Sequence, residues 1–117
     1  MKRVLITDDA AFMRMSLKNM LERNGFEIVG EAENGAIAVE KYKLLKPDIV
    51  TLDITMPVLD GIGALKQIKE FDKSAKVMMI SAMGQESIVR EAVISGAMGF
   101  VIKPFNEETI VKAFNKL

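Results

Sequence analysis

The sequence has no cysteine and no histidine. Without cysteine there can be no disulfide and no thiolate metal site. Without histidine the commonest general base and the usual zinc ligand are both missing. Any chemistry must therefore rest on carboxylates, hydroxyls, lysines or a hard metal ion. An excess of charge is missing too, because 16 Lys and Arg residues balance 16 Asp and Glu residues. No overall basic field exists to hold nucleic acid or an anionic membrane surface. Long apolar runs are also absent. Met1-Lys2-Arg3 leads into only the short run Val4 to Ile6, so no secretory signal is read there. No segment approaches the length of a membrane span. A cytoplasmic protein is expected.

What is present suits a globular domain. The chain has 117 residues, half of them hydrophobic, which is enough for a real core in a single domain over residues 1–117. The nine methionines are read as adaptable core packing rather than as a promiscuous binding surface.

The chain is organised around Ile49-Val50-Thr51-Leu52-Asp53, an uncharged run that ends in one acid. Met56-Pro57 and Asp60-Gly61 follow it. Such a run between turn signals predicts a strand covered on both faces. An ionised acid at its end is costly unless something pairs with it. The other elements alternate regularly. Val4–Ile6 is the first strand, ending at Asp8-Asp9, and Ala10–Arg23 a helix with Met13, Leu17, Met20 and Leu21 at helical spacing. Phe26–Ala32 is a partly charged strand, and a helix capped at Asn34 runs to Lys43. After the Asp53 strand come a helix over Gly61–Phe71 and a strand over Val77–Ile80, stopping at Ser81. A helix over Gln85–Ser95 follows, with Ile88, Val89, Ala92 and Val93 facing inward. Phe100–Ile102 is the fifth strand, stopping at Lys103-Pro104, and the last helix is capped by Asn106. Five strand–helix alternations imply an α/β doubly wound parallel sheet with right-handed crossovers. Its order is expected to be 2-1-3-4-5, flavodoxin-like, with the charged second strand at an edge. A ligand crevice then opens at the C-terminal ends of strands one and three.

Four strands end in Asp8-Asp9, Asp53, Ser81 and Lys103, and a parallel sheet brings those ends to one edge. Each residue has a plain structural role when taken alone: aspartates cap helices, serines make turns and lysines sit in solvent. Their convergence is what points to chemistry. At an effective dielectric of about 20, like charges about 4 Å apart repel by about 4 kcal/mol. Either one acid is protonated at neutral pH or a divalent cation sits among them. With oxygen ligands only, Mg²⁺ is favoured. A metal and a free carboxylate facing a lysine and a hydroxyl suit phosphoryl transfer to a carboxylate, with Asp53 as the nucleophile.

These residues together resemble the receiver domain of two-component response regulators. Asp8-Asp9, Asp53 with Met56-Pro57 and Asp60-Gly61, Ser81-Ala82 and Lys103-Pro104 carry the likeness, which extends over the whole chain. That family is itself a standing example of the 2-1-3-4-5 order. Asp8 to Arg14, Asp53 to Pro57 and Ser81 to Gln85 are most similar to its chemotaxis branch. The resemblance implies that a histidine kinase phosphorylates Asp53. It implies that Asp9 and Asp53 bind Mg²⁺ through carboxylates and Thr55 through its main-chain carbonyl, with Asp8 acting mainly through water. Lys103 would contact the phosphoryl group and link it to the Ser81 loop, and the Lys103–Pro104 peptide would be cis. Phe100 matches the switch aromatic that follows the Ser81 hydroxyl. Thr55 and Met83 occupy the positions that tune phosphate hydrolysis, and neither offers an acid or amide. The implied partners are a chemotaxis kinase, a flagellar motor switch protein bound by the face of the fourth helix, fifth strand and fifth helix, and a phosphatase. A monomeric switch rather than a turnover enzyme is expected, without a fused output domain.

Three other readings use parts of the same pattern. A single-domain phosphorelay carrier would hand its phosphate to another histidine. An aspartate-nucleophile phosphatase of the haloacid dehalogenase type needs Asp-x-Asp after its first strand, but Thr55 holds the second acid's place. A flavin carrier needs a phosphate loop after strand one, where Asp8-Asp9 would repel the phosphate.

Overall fold

Alternating apolar patterns build five strands and five helices in a computed structural model that describes residues 1–117. In chain order these are β1 (Arg3–Thr7), α1 (Ala11–Arg23), β2 (Glu27–Ala32), α2 (Gly35–Leu45), β3 (Ile49–Leu52), α3 (Gly61–Phe71), β4 (Val77–Ser81), α4 (Glu86–Ile94), β5 (Gly99–Ile102) and α5 (Glu107–Asn115). The strands form one parallel sheet in the order β2-β1-β3-β4-β5. The expected topology is therefore the observed one. The partly charged β2, with Glu27 exposed, lies at an edge. No helix is long and apolar enough to cross a membrane.

Local chemistry sets the helix ends. Asn34, Asp60 and Asn106 each accept a hydrogen bond from the backbone N–H three residues on, at 2.9, 2.7 and 2.9 Å, which satisfies a donor of the first turn. Helix α2 continues past the expected Lys43 to Leu45. Lys46 then takes a left-handed φ of 46° while its N–H still bonds to the Tyr42 carbonyl.

Strand side chains alternate between two cores. Leu5, Val50, Leu52, Val77 and Met79 pack with α2 and α3. Val4, Ile6, Ile49, Met78, Ile80 and Val101 pack with Leu17 and Leu21 of α1 and with Ile110 and Phe114 of α5. Extending this period of two past the strand ends puts Asp8, Asp53 and Lys103 on the α1/α5 side. Ser81 shares the parity of Val77 and Met79 on the other side. Helix α4 departs from expectation. Ala92 is its buried residue, with Ile88 and Val89 half-buried, but Val93 faces solvent. A short helix over the edge of a sheet buries a narrow stripe, and Val93 lies about 100° round from Ala92.

Two positions in the scaffold make testable costs visible. The Thr7 hydroxyl is buried and has no hydrogen-bond partner, although its N–H bonds to Thr51 Oγ1 at 3.2 Å. An unpaired buried hydroxyl costs about 1–3 kcal/mol. Thr7→Val should raise stability in urea unfolding by about 1 kcal/mol, and a loss of stability would mean that the hydroxyl has a partner in solution.

Tyr42 is buried, and its hydroxyl donates to Asp72 at 2.8 Å. Burial, then the Asp72 carboxylate, push its pKa up. The folded chain thus keeps a proton that the unfolded chain releases at about pH 10. Stability contributed by this group is present below pH 10 and drains away above it. In a pH series, Tyr42→Phe should be less stable than the wild type by about 1 kcal/mol at neutral pH. The gap should close and reverse above about pH 10; a constant gap would refute the linkage.

Candidate functional site

The register of the sheet assembles the site. Thr7 pairs with Leu52, so the next residues, Asp8 and Asp53, leave adjacent strands side by side. Ser81 pairs with Ile102, so Lys103 emerges beside the end of β4. The Lys103 ammonium spans the gap, donating to Asp8 Oδ2 at 2.7 Å and Asp53 Oδ2 at 2.8 Å. Both acids are buried, Asp8 to 1% and Asp53 to 7% exposure. Asp9 is exposed, yet one oxygen from each of the three acids lies within 4.8 Å of the others.

Neither Asp8 nor Asp9 caps α1. The N-cap is Ala10, with no side-chain cap bond. Instead Asp8 Oδ1 accepts from the Ala10 N–H at 2.9 Å, and its other oxygen faces Lys103. Burial pushes the Asp8 pKa up, opposed by the Lys103 and Ala10 hydrogen bonds. Burial pulls Lys103 down, but hydrogen bonds to Asp53 and then Asp8 outweigh it, so its pKa is raised and the ammonium persists. The sequence pointed to a metal as the resting partner of Asp53, with Lys103 joining after transfer. In the fold Lys103 already holds Asp53, because β5 delivers it on the same side of the sheet.

The remaining residues divide between the mouth and the walls. The Thr55 N–H bonds to Asp53 Oδ1 at 3.3 Å, and the Thr55 hydroxyl meets Met83 Sδ at 2.9 Å across the mouth. Ser81 is buried, and its Oγ accepts from the Met83 N–H at 3.2 Å. The Lys103 backbone N–H bonds to the Ser81 carbonyl at 3.0 Å, which ties the two strand ends together. The Lys103–Pro104 peptide is cis. Phe100 is half-buried and packs against the α2/α3 core along with Met83 and Ile88.

The sequence marks Gly61 only as a turn signal within the matching motif and Arg14 only as the end of a matching stretch; the structure gives each a role at the site. A Cβ at Gly61 would lie 2.0 Å from the Asp53 carbonyl oxygen, so only glycine lets α3 start against the Asp53 main chain. Arg14 Nη1 donates to the Asp8 carbonyl at 2.6 Å. Besides its place in the matching stretch, the signal for that role is its position one turn into a helix that starts directly after the acid pair.

Three acids, an ammonium and a hydroxyl at the C-terminal edge of a 2-1-3-4-5 sheet define a receiver-type site. The chain belongs to the response regulator receiver domain family, whose model matches residues 4–115. Its relatives include the chemotaxis protein CheY of Bacillus subtilis, 59% identical over 97% of this chain and 95% of that protein. CheY of Thermotoga maritima is 57% identical over 99% of this chain and 97% of that protein. Among solved structures, the CheX–CheY–BeF3–Mg²⁺ complex from Borrelia burgdorferi aligns with a TM-score of 0.95 at 44% identity, covering 98% of this chain and 87% of that one.

Proposed function

We propose that this chain is a chemotaxis phosphoacceptor switch of the CheY type, with Asp53 as the nucleophile. The observation that carries the reading is the Lys103 ammonium bonded to two buried acids from neighbouring strands. A carboxylate oxygen of Asp53 attacks the phosphorus of a phosphohistidine on a histidine kinase. The P–N bond breaks, the imidazole leaves with its electron pair and takes up a proton, and an acyl phosphate remains on Asp53. Lys103 and the Ser81 hydroxyl donate to the phosphoryl oxygens, where charge develops.

The all-oxygen donor set and the spacing of Asp8, Asp9 and Asp53 fit a hard divalent cation. Asp9 and Asp53 would hold Mg²⁺ through carboxylates and Thr55 through its carbonyl, with Asp8 acting through water. When bound, the ion neutralises phosphoryl oxygens. The relative solved with CheX, BeF3 and Mg²⁺ favours this assignment.

The phosphoryl group is the signal, so the chain is a switch and not a turnover enzyme. Once Ser81 is drawn to the phosphate, Phe100 is the aromatic that follows it inward. The readout face is formed by α4, β5 and α5, and it works through binding to a flagellar motor switch protein. Exposed Val93, Ile94, Met98 and Ile102 on α4, β5 and the connection between them support that role. Thr55 and Met83 close the mouth with a hydroxyl–thioether contact and offer no acid or amide to orient an attacking water. Slow self-dephosphorylation is expected, and Met83→Glu should shorten the phosphorylated lifetime by about tenfold, less than the roughly 10²–10⁴-fold of a fully positioned acid–base group because the carboxylate only orients the water. An unchanged decay would end that idea.

Incubation with acetyl phosphate and Mg²⁺, followed by intact-mass measurement, tests the function. A stable gain of one phosphoryl group per chain is expected. Multiple turnover of phosphoesters, or co-purifying flavin, would instead support the phosphatase or flavin-carrier reading.

A further inference from the structure

The acids of the site are not held equally. Asp8 is fixed by Ala10 and Lys103, and Asp53 by Thr55 and Lys103. Asp9 is exposed, and its carboxylate has no donor from the rest of the chain. Its orientation depends on the peptide from which it hangs, the one between Asp8 and Asp9. One side of that peptide's entry is pinned by the sheet, where the Asp8 N–H bonds to the Ala32 carbonyl at 3.1 Å. The Asp8 carbonyl, just past the last paired residue of β1, is met by Arg14 Nη1 at 2.6 Å.

Arg14 is itself braced. Its Nε donates to Glu31 Oε1 at 3.1 Å, and its side chain is only 17% exposed. Lys41 in turn donates to the Glu31 carbonyl. The guanidinium therefore joins α1 to the edge strand β2 and points one arm at the corner between the two acids. Its planar fork presents donors to both acceptors in fixed directions, whereas a lysine ammonium is a rotatable point charge on a flexible stem and holds no such geometry. Glu31 also balances the charge that Arg14 brings close to a cation site.

We infer that Arg14 is a positioning residue for metal binding. It holds the Asp8–Asp9 peptide so that the free Asp9 carboxylate faces the other two acids. This inference rests on the Mg²⁺ reading given above.

The electrostatic alternative predicts the opposite sign. A cation beside a divalent-ion site repels the ion, so if charge were all that mattered, removing Arg14 would tighten Mg²⁺ binding. If Arg14 positions Asp9, removing it weakens binding. Residues that hold metal ligands in place contribute about 10- to 100-fold in affinity, and one acting through a carbonyl belongs at the low end.

The experiment is calorimetric titration of the metal-free full chain with Mg²⁺ alone, alongside amide NMR shifts at Asp9 and thermal melts in EDTA. Arg14→Ala is expected to weaken Mg²⁺ binding about tenfold. Arg14→Lys, which keeps the charge but not the fork, should recover part of the loss. A melting temperature that falls with Mg²⁺ affinity unchanged would assign Arg14 a purely structural role and overturn the inference, as would tighter binding. Should Arg14→Ala fail to fold, Arg14→Lys decides alone, since weaker binding supports positioning and unchanged or tighter binding refutes it. A wild-type chain that takes up no Mg²⁺ would remove the metal reading itself, which separates that failure from this one.

Discussion

Asp53→Asn should abolish phosphoryl uptake from acetyl phosphate, a fall of about a thousandfold or more, as expected when a nucleophile is removed. The substitution is close to isosteric, so the backbone that holds position 53 has no reason to move. Gly61 still approaches the residue-53 carbonyl, and the amide oxygen can still accept from Lys103, leaving the NH2 toward the Thr55 N–H, whose bond to this side chain is the longer one at 3.3 Å. Only the anionic oxygen is lost. The neighbouring acids are poorly placed to replace it. Asp8 is buried with its oxygens committed to Lys103 and Ala10, and Asp9 stands outside the Lys103 bridge. Intact mass after incubation is the measurement. A phosphoryl gain that survives Asp53→Asn would move the nucleophile to another acid and sink the assignment.

Removing the cation should have the second large effect. Lys103→Met keeps most of the side-chain volume but leaves Asp8 and Asp53 facing each other without a counter-ion. Breaking a buried pair by deleting one partner costs about 3–5 kcal/mol. Because the lysine side chain is 16% exposed, a loss of about 3 kcal/mol at pH 7 in EDTA is expected, at the low end of that range. The sign of the pH dependence follows from Asp8. Its folded pKa is already raised by burial despite help from Lys103. Without that help the folded state holds a proton that the unfolded chain gives up near pH 4. The variant's deficit should therefore be small near pH 4, grow as pH rises through the raised folded pKa, and be complete above it. Mg²⁺ should recover part of it by binding the folded state alone. Equal stability of variant and wild type at pH 7 in EDTA would show that Lys103 is not the resting counter-ion.

Much of this molecule was legible in the sequence. The order of elements follows from apolar runs of strand length alternating with runs of helical period. Capping residues such as Asn34 and Asn106 mark the helix starts through local hydrogen bonds that need no distant partner. The residues at the strand ends named the site before any contact was visible, because a parallel sheet has one C-terminal edge. Other features depend on partners far apart in the chain. Val93 continues the apolar pattern of α4, yet nothing in the fold covers it.

The same division runs through the site. By itself the sequence determined which side chains meet, since strand order and a period of two place Asp8, Asp53 and Lys103 on one side of one edge. Only the tertiary structure decided what each does there. Asp8 rather than Asp9 is the buried partner of Lys103, and Arg14 reaches back to hold the peptide between them. The period that fixes side-chain direction carries one residue past the end of a strand, choosing the side of the sheet but not the partner. On that side, direction is set by which donors neighbouring elements bring within about 3 Å, and those donors come from β5 and α1, distant in sequence and near only once the chain has folded.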